Sequence, residues 1–181
     1  MKVIESPLTG CFLIEPSVFE DERGQFYEAY RRNRLDKHVG MKVDFVQDNV
    51  SYSKKGVLRG LHFQKGDSAQ AKLVQVLKGE VLDVIVDIRK DSPTFGEYFK
   101  EKLSSKNKKS IFIPKGMAHG FLALTEEVIF LYKCDAYYDP KSEAGILYND
   151  PSLAIDWEIN EDELILSEKD LQLPLLKDLG S

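Results

Sequence analysis

Leu58-Arg59-Gly60-Leu61-His62-Phe63-Gln64 sets a permanent cation, a glycine and an imidazole within four positions, and Val57, Leu58 and Leu61 suit this segment to a sheet. Histidine occurs only at His38, His62 and His119, so each needs a reason. Imidazole is the side chain best placed to take or give a proton near neutral pH. Arginine beside it suits a ligand carrying phosphate or carboxylate. Strict alternation would put Arg59 and His62 on opposite faces. Gly60 must therefore bend or bulge the strand if both are to reach one ligand.

The flanking segments read as a container for this strand. Upstream, Asp44 to Tyr52 alternates, with Phe45, Gln47, Asn49 and Ser51 on one face and Val46, Asp48, Val50 and Tyr52 on the other. Gln47 and Asn49 offer adjacent amides to a polar ligand or equally to solvent. Lys54-Lys55-Gly56 reads as a hairpin-like turn. Cys11 to Ile14 is a short strand, Asp21-Glu22-Arg23-Gly24 a turn, and Phe26, Glu28 and Tyr30 share one face of an alternating run. Arg31 to Val39 is a short helix stopped by Gly40. His38, at its end, suits the helix dipole and reads as structural or solvent-facing.

Downstream, Lys72 to Leu77 carries Lys72, Val74 and Val76 on one face. Val81 to Ile88 is apolar on both faces except Asp83 and Asp87, as a central strand would be. Glu97 to Leu103 is a further strand. Ala118 to Leu124 and Val128 to Asp135 read as a pair about Thr125-Glu126-Glu127, with Val128, Phe130, Tyr132 and Cys134 on one face. Glu143 to Asp150 reads as irregular. Ser167-Glu168-Lys169-Asp170 opens a final helix with Ser167 as N-cap, and Leu171, Leu175 and Leu176 follow at helical spacing. About ten short strands with few helices indicate an antiparallel all-β sandwich or barrel, whose mouth is a usual home for a small-molecule site.

The totals agree. Hydrophobic residues at 43% and charged residues at 30% describe an ordinary globular chain, and 181 residues imply one domain spanning 1–181. A net charge of -5 opposes nucleic-acid binding as a general role. Cys11 and Cys134 form neither metal spacing nor a disulfide framework, which fits a reducing cytoplasm. Glu5 and Pro7 interrupt any signal-peptide core. No apolar run approaches the ~20 residues of a membrane helix, so no membrane partner is expected.

His62, Lys72, His119 and Tyr132 fall on candidate inner faces. Together they suit proton abstraction beside a carbonyl: His62 as base, Lys72 stabilising the enolate oxygen, Tyr132 returning a proton from the other side. Asp170 and Asp83 could each orient the base, and spacing does not choose between them. The same side chains also fit structural roles: a lysine exposed at a strand start, a core tyrosine with its hydroxyl at the rim, a satisfied core histidine.

Pro114-x-Gly116-x-x-His119 resembles the second motif of the cupin superfamily, a jelly-roll group. Its first motif normally supplies His-x-His and a glutamate; here the spacing is His62-Phe63-Gln64. Glutamine is a poor ligand for a transition metal, so no metal is expected, and Gln64 opposes the competing reading as a metal-dependent cupin oxygenase.

A closer resemblance runs from about Leu13 to Leu176. It is carried by Asp21-Glu22-Arg23-Gly24-x-Phe26, Gln47-Asp48-Asn49-Val50-Ser51, Gly56 through Gln64, Gly79-Glu80-Val81 through Arg89, Ile113-Pro114-x-Gly116-x-Ala118-His119-Gly120-Phe121 and Leu166-Ser167-Glu168-Lys169-Asp170. In these motifs the chain resembles the dTDP-4-dehydrorhamnose 3,5-epimerase family. The resemblance implies an antiparallel jelly-roll (cupin) barrel with a few short peripheral helices. It implies epimerisation at carbons 3 and 5 of dTDP-4-dehydro-6-deoxy-D-glucose, without cofactor or metal, by a cytoplasmic homodimer with strands shared between subunits. By resemblance His62 is the base, Asp170 its partner, Tyr132 the proton donor and Lys72 the residue near the keto oxygen. Arg23, Phe26, Glu28, Gln47, Asn49, Arg59, His119, Glu143 and Lys169 match substrate-binding positions, and Tyr138 the aromatic near the thymine. Three features depart from the pattern: Ala71 where glycine is expected, Met117 where an aromatic often stands, and no proline from Gln64 to Ala69. An epimerase acting at one carbon, or a non-catalytic sugar-nucleotide binder, are the remaining alternatives.

Overall fold

Period-two patterning dominates the architecture of the computed structural model, which describes residues 1–179; the last two positions of the 1–181 span lie outside the described residues. In chain order the elements are β1 (Lys2–Glu5), β2 (Phe12–Glu15), β3 (Val18–Asp21), β4 (Gly24–Tyr27), α1 (Arg32–Val39), β5 (Gln47–Ser53), β6 (Leu58–Gln64) and β7 (Lys72–Lys78). There follow β8 (Glu80–Asp87), β9 (Tyr98–Ser104), β10 (Ser110–Ile113), β11 (Met117–Ala123), β12 (Val128–Cys134), β13 (Glu143–Gly145) and α2 (Glu168–Leu171). One antiparallel sheet runs β1-β2-β10-β7-β12-β5 and a second runs β13-β6-β11-β8-β9; β3 and β4 form a separate hairpin. These two sheets form the antiparallel jelly roll that the resemblance implies, and of the sandwich and the barrel read from periodicity they make a sandwich.

Alternation decides what lies between the sheets. Leu13, Val74, Val76, Ile111, Val128 and Phe130 of the larger sheet pack on Val81, Ile85, Leu103, Met117 and Phe121 of the smaller. The opposite faces of β6, β8 and β11 carry Leu58, Leu61, Leu82, Val84, Val86 and Leu122, covered by Ile146, Tyr148, Leu153 and Trp157. Strand β8 is thus buried on both faces, which explains its near-continuous apolar run. It is interior, but it sits beside the edge strand β9 rather than in the middle of its sheet. Helix α1 buries Leu35 against Ile14, Leu73 and Phe112 on the outside of the larger sheet.

Several expectations are corrected. β11 and β12 are not partners: β11 pairs with β6 and β8, whereas β12 pairs with β5 and β7. The turn at Thr125–Glu127 crosses between sheets, and so does the turn at Lys54–Gly56. A hairpin and a sheet-crossing turn carry the same local signals, because both flanking strands still alternate. Glu143–Gly145 forms β13 rather than irregular chain, but three residues are too few to display a period. The strand expected from Asp44 begins at Gln47, β4 ends at Tyr27, and β1 was not anticipated. Helix α2 ends at Leu171, so Leu175 and Leu176 do not continue it. Pro174 restricts the residue before it and cannot donate to a continuing helix.

Candidate active site

The inner-face positions at one end of the sandwich surround a cavity of about 730 Å³. On β5 these are Gln47, Asn49 and Ser51; on β7, Lys72; on β11, His119 and Phe121; on β12, Phe130 and Tyr132. Each follows from alternation, since these residues share a face with core neighbours such as Val74, Val76 and Phe130.

Strand β6 obeys a different rule. His62 lies opposite His119, but Arg59 lies opposite Phe121, so three steps on β6 match two on β11. The extra residue falls at Gly60–Leu61, where the peptide bond is cis and Gly60 has φ +135°. The bulge turns both Arg59 and His62 toward the cavity, the bend that Gly60 would need if both are to reach one ligand.

Nε2 of His62 lies 2.6 Å from Oδ1 of Asp170. A carboxylate accepts, so Nε2 carries the hydrogen and Nδ1 is the basic nitrogen. Asp170 is delivered by α2, where its own N–H donates to the Ser167 cap at 3.1 Å. Burial works to raise the Asp170 carboxyl, but the hydrogen bond and charge of His62, with Ser167 and the Gly60 backbone, hold it below the usual value. Asp83, the other candidate, faces His119 instead, with Nε2 of His119 2.9 Å from Oδ2. Oδ1 of Asp83, fully buried, has no hydrogen-bond partner among the described residues.

Lys72 is 9% exposed, and among the described residues its ammonium makes no ion pair or hydrogen bond. Burial pulls its pKa below the usual lysine value, opposed by Cys134, Asp83 and Glu143. Burial likewise pushes the Tyr132 phenol up, with Cys134 adding to the rise and Arg59 opposing it. Among the described residues, the Arg59 guanidinium donates to the Ser53 hydroxyl and the Tyr52 carbonyl, and no carboxylate pairs with its charge. At the mouth, Glu143 accepts from Lys169 at 2.6 Å and from the Tyr138 hydroxyl at 2.5 Å.

Of the residues singled out from sequence, His62, Tyr132, Asp170, Lys72, Gln47, Asn49, Arg59, His119, Tyr138, Glu143 and Lys169 all line this one cavity. Arg23, Phe26 and Glu28 do not. They lie on or just beyond the β3–β4 hairpin, where Phe26 is 72% exposed, Arg23 pairs with Asp21, and Glu28 pairs with Arg31 and Arg34. The sequence reading missed Ser51, Phe121, Phe130, Gln70 and Ser167 as lining residues and weighed Gln64 only as a metal ligand. Alternation already puts Ser51 and Phe130 on the faces of Gln47 and Tyr132 without naming them as site residues, and it would have added Phe121; Gln70 lies in a loop with no period to reveal it. Among the described residues, no group of three or more His, Cys, Asp or Glu side chains is placed to hold a metal ion.

An imidazole paired with a carboxylate, a phenol and a buried ammonium around one cavity on a jelly roll are the groups that an acid–base isomerase uses. The family model for dTDP-4-dehydrorhamnose 3,5-epimerase matches residues 5–178. The dTDP-4-dehydrorhamnose 3,5-epimerase of Salmonella typhimurium is 51% identical over 176 residues, 97% of this chain and 96% of that protein. The crystal structure of the enzyme of that name from Elizabethkingia anophelis has TM-score 0.96 and 51% identity, covering 100% of this chain and 99% of its own. A Legionella pneumophila 3,5-epimerase in complex with dTDP-4-keto-L-rhamnose has TM-score 0.94 and 49% identity, covering 98% of this chain and 94% of its own. The chain belongs to the dTDP-4-dehydrorhamnose 3,5-epimerase family.

Proposed function

We propose that this protein epimerises carbons 3 and 5 of dTDP-4-dehydro-6-deoxy-D-glucose, giving dTDP-4-dehydro-L-rhamnose, and that residues 1–181 act as one catalytic domain. The carrying observation is the His62–Asp170 pair lining the same cavity as Tyr132 and Lys72.

The 4-keto group acidifies the hydrogens on both neighbouring carbons, so one base serves them in turn. His62 Nδ1 takes the proton, the C–H electron pair moves into the new C=C bond, and the carbonyl π pair becomes the enolate oxygen's charge. Lys72 stabilises that charge, and Asp170 stabilises the imidazolium. Collapse of the enolate restores the carbonyl as Tyr132 donates its proton to the opposite face; before the second carbon reacts, solvent takes the proton from His62 and returns one to Tyr132. Arg59 and Lys169 answer the diphosphate, Gln47, Asn49, His119 and Glu143 bind the sugar and its linkage, and Tyr138 offers a flat face to thymine.

The same reading gives the exposed β3–β4 hairpin a role. In a homodimer it carries Arg23, Phe26 and Glu28 to the cavity of a second copy, covering the exposed ring of Phe26. No described helix is long and apolar enough to cross a membrane, and a cytoplasmic enzyme is the matching proposal.

Incubation with dTDP-4-dehydro-6-deoxy-D-glucose in deuterated water tests the reaction. Deuterium at both carbons, with the L-rhamnose configuration in the product, is the expected outcome. Label at one carbon alone would make this a mono-epimerase, and dTDP binding with no label would make it a binder.

A further inference from the structure

Three glutamines lining the cavity converge on a single turn. Gln47 Oε1 accepts the Tyr138 N–H at 2.9 Å, Gln64 Oε1 accepts the Asp139 N–H at 3.1 Å, and Gln70 Nε2 donates to the Ala136 carbonyl at 2.8 Å. They come from β5, β6 and the loop after β6, so three separate segments grip one short stretch of backbone. Residues 135–139 lie beyond the end of β12, outside any strand or helix. The two N–H groups and the carbonyl therefore find their partners in side chains. Tyr138 itself is half exposed, so packing does little to fix its ring. Apart from its hydroxyl bond to Glu143, the ring is held through the backbone that the glutamines grip.

Gln64 is the most informative of the three. It is 6% exposed, it follows His62 on the inner face, and its backbone pairs with Glu143 on β13. One residue thus joins the strand of the base, the strand of the Tyr138 hydroxyl acceptor and the Tyr138 turn. We propose that Gln64 and Gln70 are positioning residues that hold Tyr138 at the cavity mouth, against the planar base of a nucleoside-diphosphate ligand. The clamp's role in binding rests on the epimerase reading above. Neither glutamine need touch the ligand, because the effect passes through the turn.

The test uses the full-length protein and Gln64→Met, which keeps side-chain length and removes the acceptor. Amide exchange followed by NMR reads the clamp without any ligand. The Asp139 amide should exchange about tenfold faster, while the Tyr138 amide, still bonded to Gln47, changes far less. Unchanged Asp139 exchange would overturn the proposal.

A mutant cycle then reads the binding role. Gln64→Met should raise KM for the dTDP-sugar, and Kd for dTDP alone, about five- to tenfold, with kcat falling much less. In a Tyr138→Ala background the same change should add less than about twofold, because the ring it positions is gone. Equal penalties in both backgrounds would mean that Gln64 contacts the ligand itself, which overturns the positioning role. Gln70→Met runs through the same cycle, so the test survives if Gln64→Met fails to fold. A wild-type protein that bound no dTDP would sink the epimerase reading and the binding role with it, and Asp139 exchange would still decide whether the clamp exists.

Discussion

His62 and Asp170 meet at 2.6 Å although 108 positions separate them. The pair is possible because α2 lies against β6 with its Ser167 cap bonded to the Asp170 N–H. Asp170 is 4% exposed, yet its carboxyl stays below the usual value, so it is anionic at neutral pH and suited to answer the imidazolium that the proposed abstraction would create. Asp170→Asn keeps the size and removes the charge. It should lower kcat about a hundredfold or more with KM little changed. A fall of less than threefold in steady-state assays would remove Asp170 from the mechanism.

Tyr132 should separate abstraction from re-protonation. Its raised pKa keeps the phenol protonated through the neutral range, ready to donate. Tyr132→Phe preserves the ring packing against Phe130 and removes only the hydroxyl. Inverted product should fall about a hundredfold or more, while deuterium still enters the substrate from the His62 side. NMR of label against product measures both. Wild-type product formation in this variant would assign the proton to another donor.

How much of this could be read beforehand divides along physical lines. The inner faces of β5, β7 and β12 were legible because a two-residue period states which side chains share a wall. The bulge was legible as a condition, since Arg59 and His62 need it if both are to face one ligand. Strand partners were not, as β11 and β12 show. The His62–Asp170 contact was reached through resemblance, because no local spacing joins residues so far apart. The grip of Gln64 and Gln70 on the Tyr138 turn left no trace, because its partners are backbone groups that every residue carries.

Lys72 makes a prediction about alkaline pH. Burial is the dominant cause of its shift, and the folded pKa lies below the 10.5 of a free lysine. The positive charge is present below that folded value and lost as pH rises through it. The profile of kcat should therefore fall at a pH lower than 10.5. Lys72→Met should lose about a hundredfold in kcat and lack this limb altogether. An unchanged alkaline limb in the variant would assign it to a different group.

Stability at acid pH should depend on Asp87. Burial alone would raise its carboxyl, but Arg89, Ser92 and Thr94 all donate to it and bring it from 3.8 down to about 2. A depressed pKa contributes stability that is complete above the unfolded value and lost as pH falls through the folded one. Asp87→Asn should cost about 2 kcal/mol at pH 7 in urea unfolding, and the gap should close between about pH 4 and pH 2. A gap independent of pH would leave the carboxylate's charge without a role in stability.

Gly60→Ala should test whether the bulge, rather than either side chain alone, builds the site. A Cβ on Gly60 would meet the Cα of Gly120 at 2.5 Å and the His119 carbonyl oxygen at 3.0 Å, both rigid backbone of β11. The position also has φ +135°, which side chains other than glycine rarely adopt. Gly24 provides the control, because at φ +121° it would suffer comparable strain with nothing within 4 Å of the added Cβ. Gly24→Ala should cost about 1 kcal/mol in thermal or urea unfolding, and Gly60→Ala about 3 kcal/mol or more. The difference measures the clash with β11. Any folded Gly60→Ala protein must push β6 away from β11, carrying Arg59 and His62 with it, so phosphate-dependent binding and proton exchange should fail together. Loss of one function with the other intact would show that the two residues reach the cavity independently of the bulge.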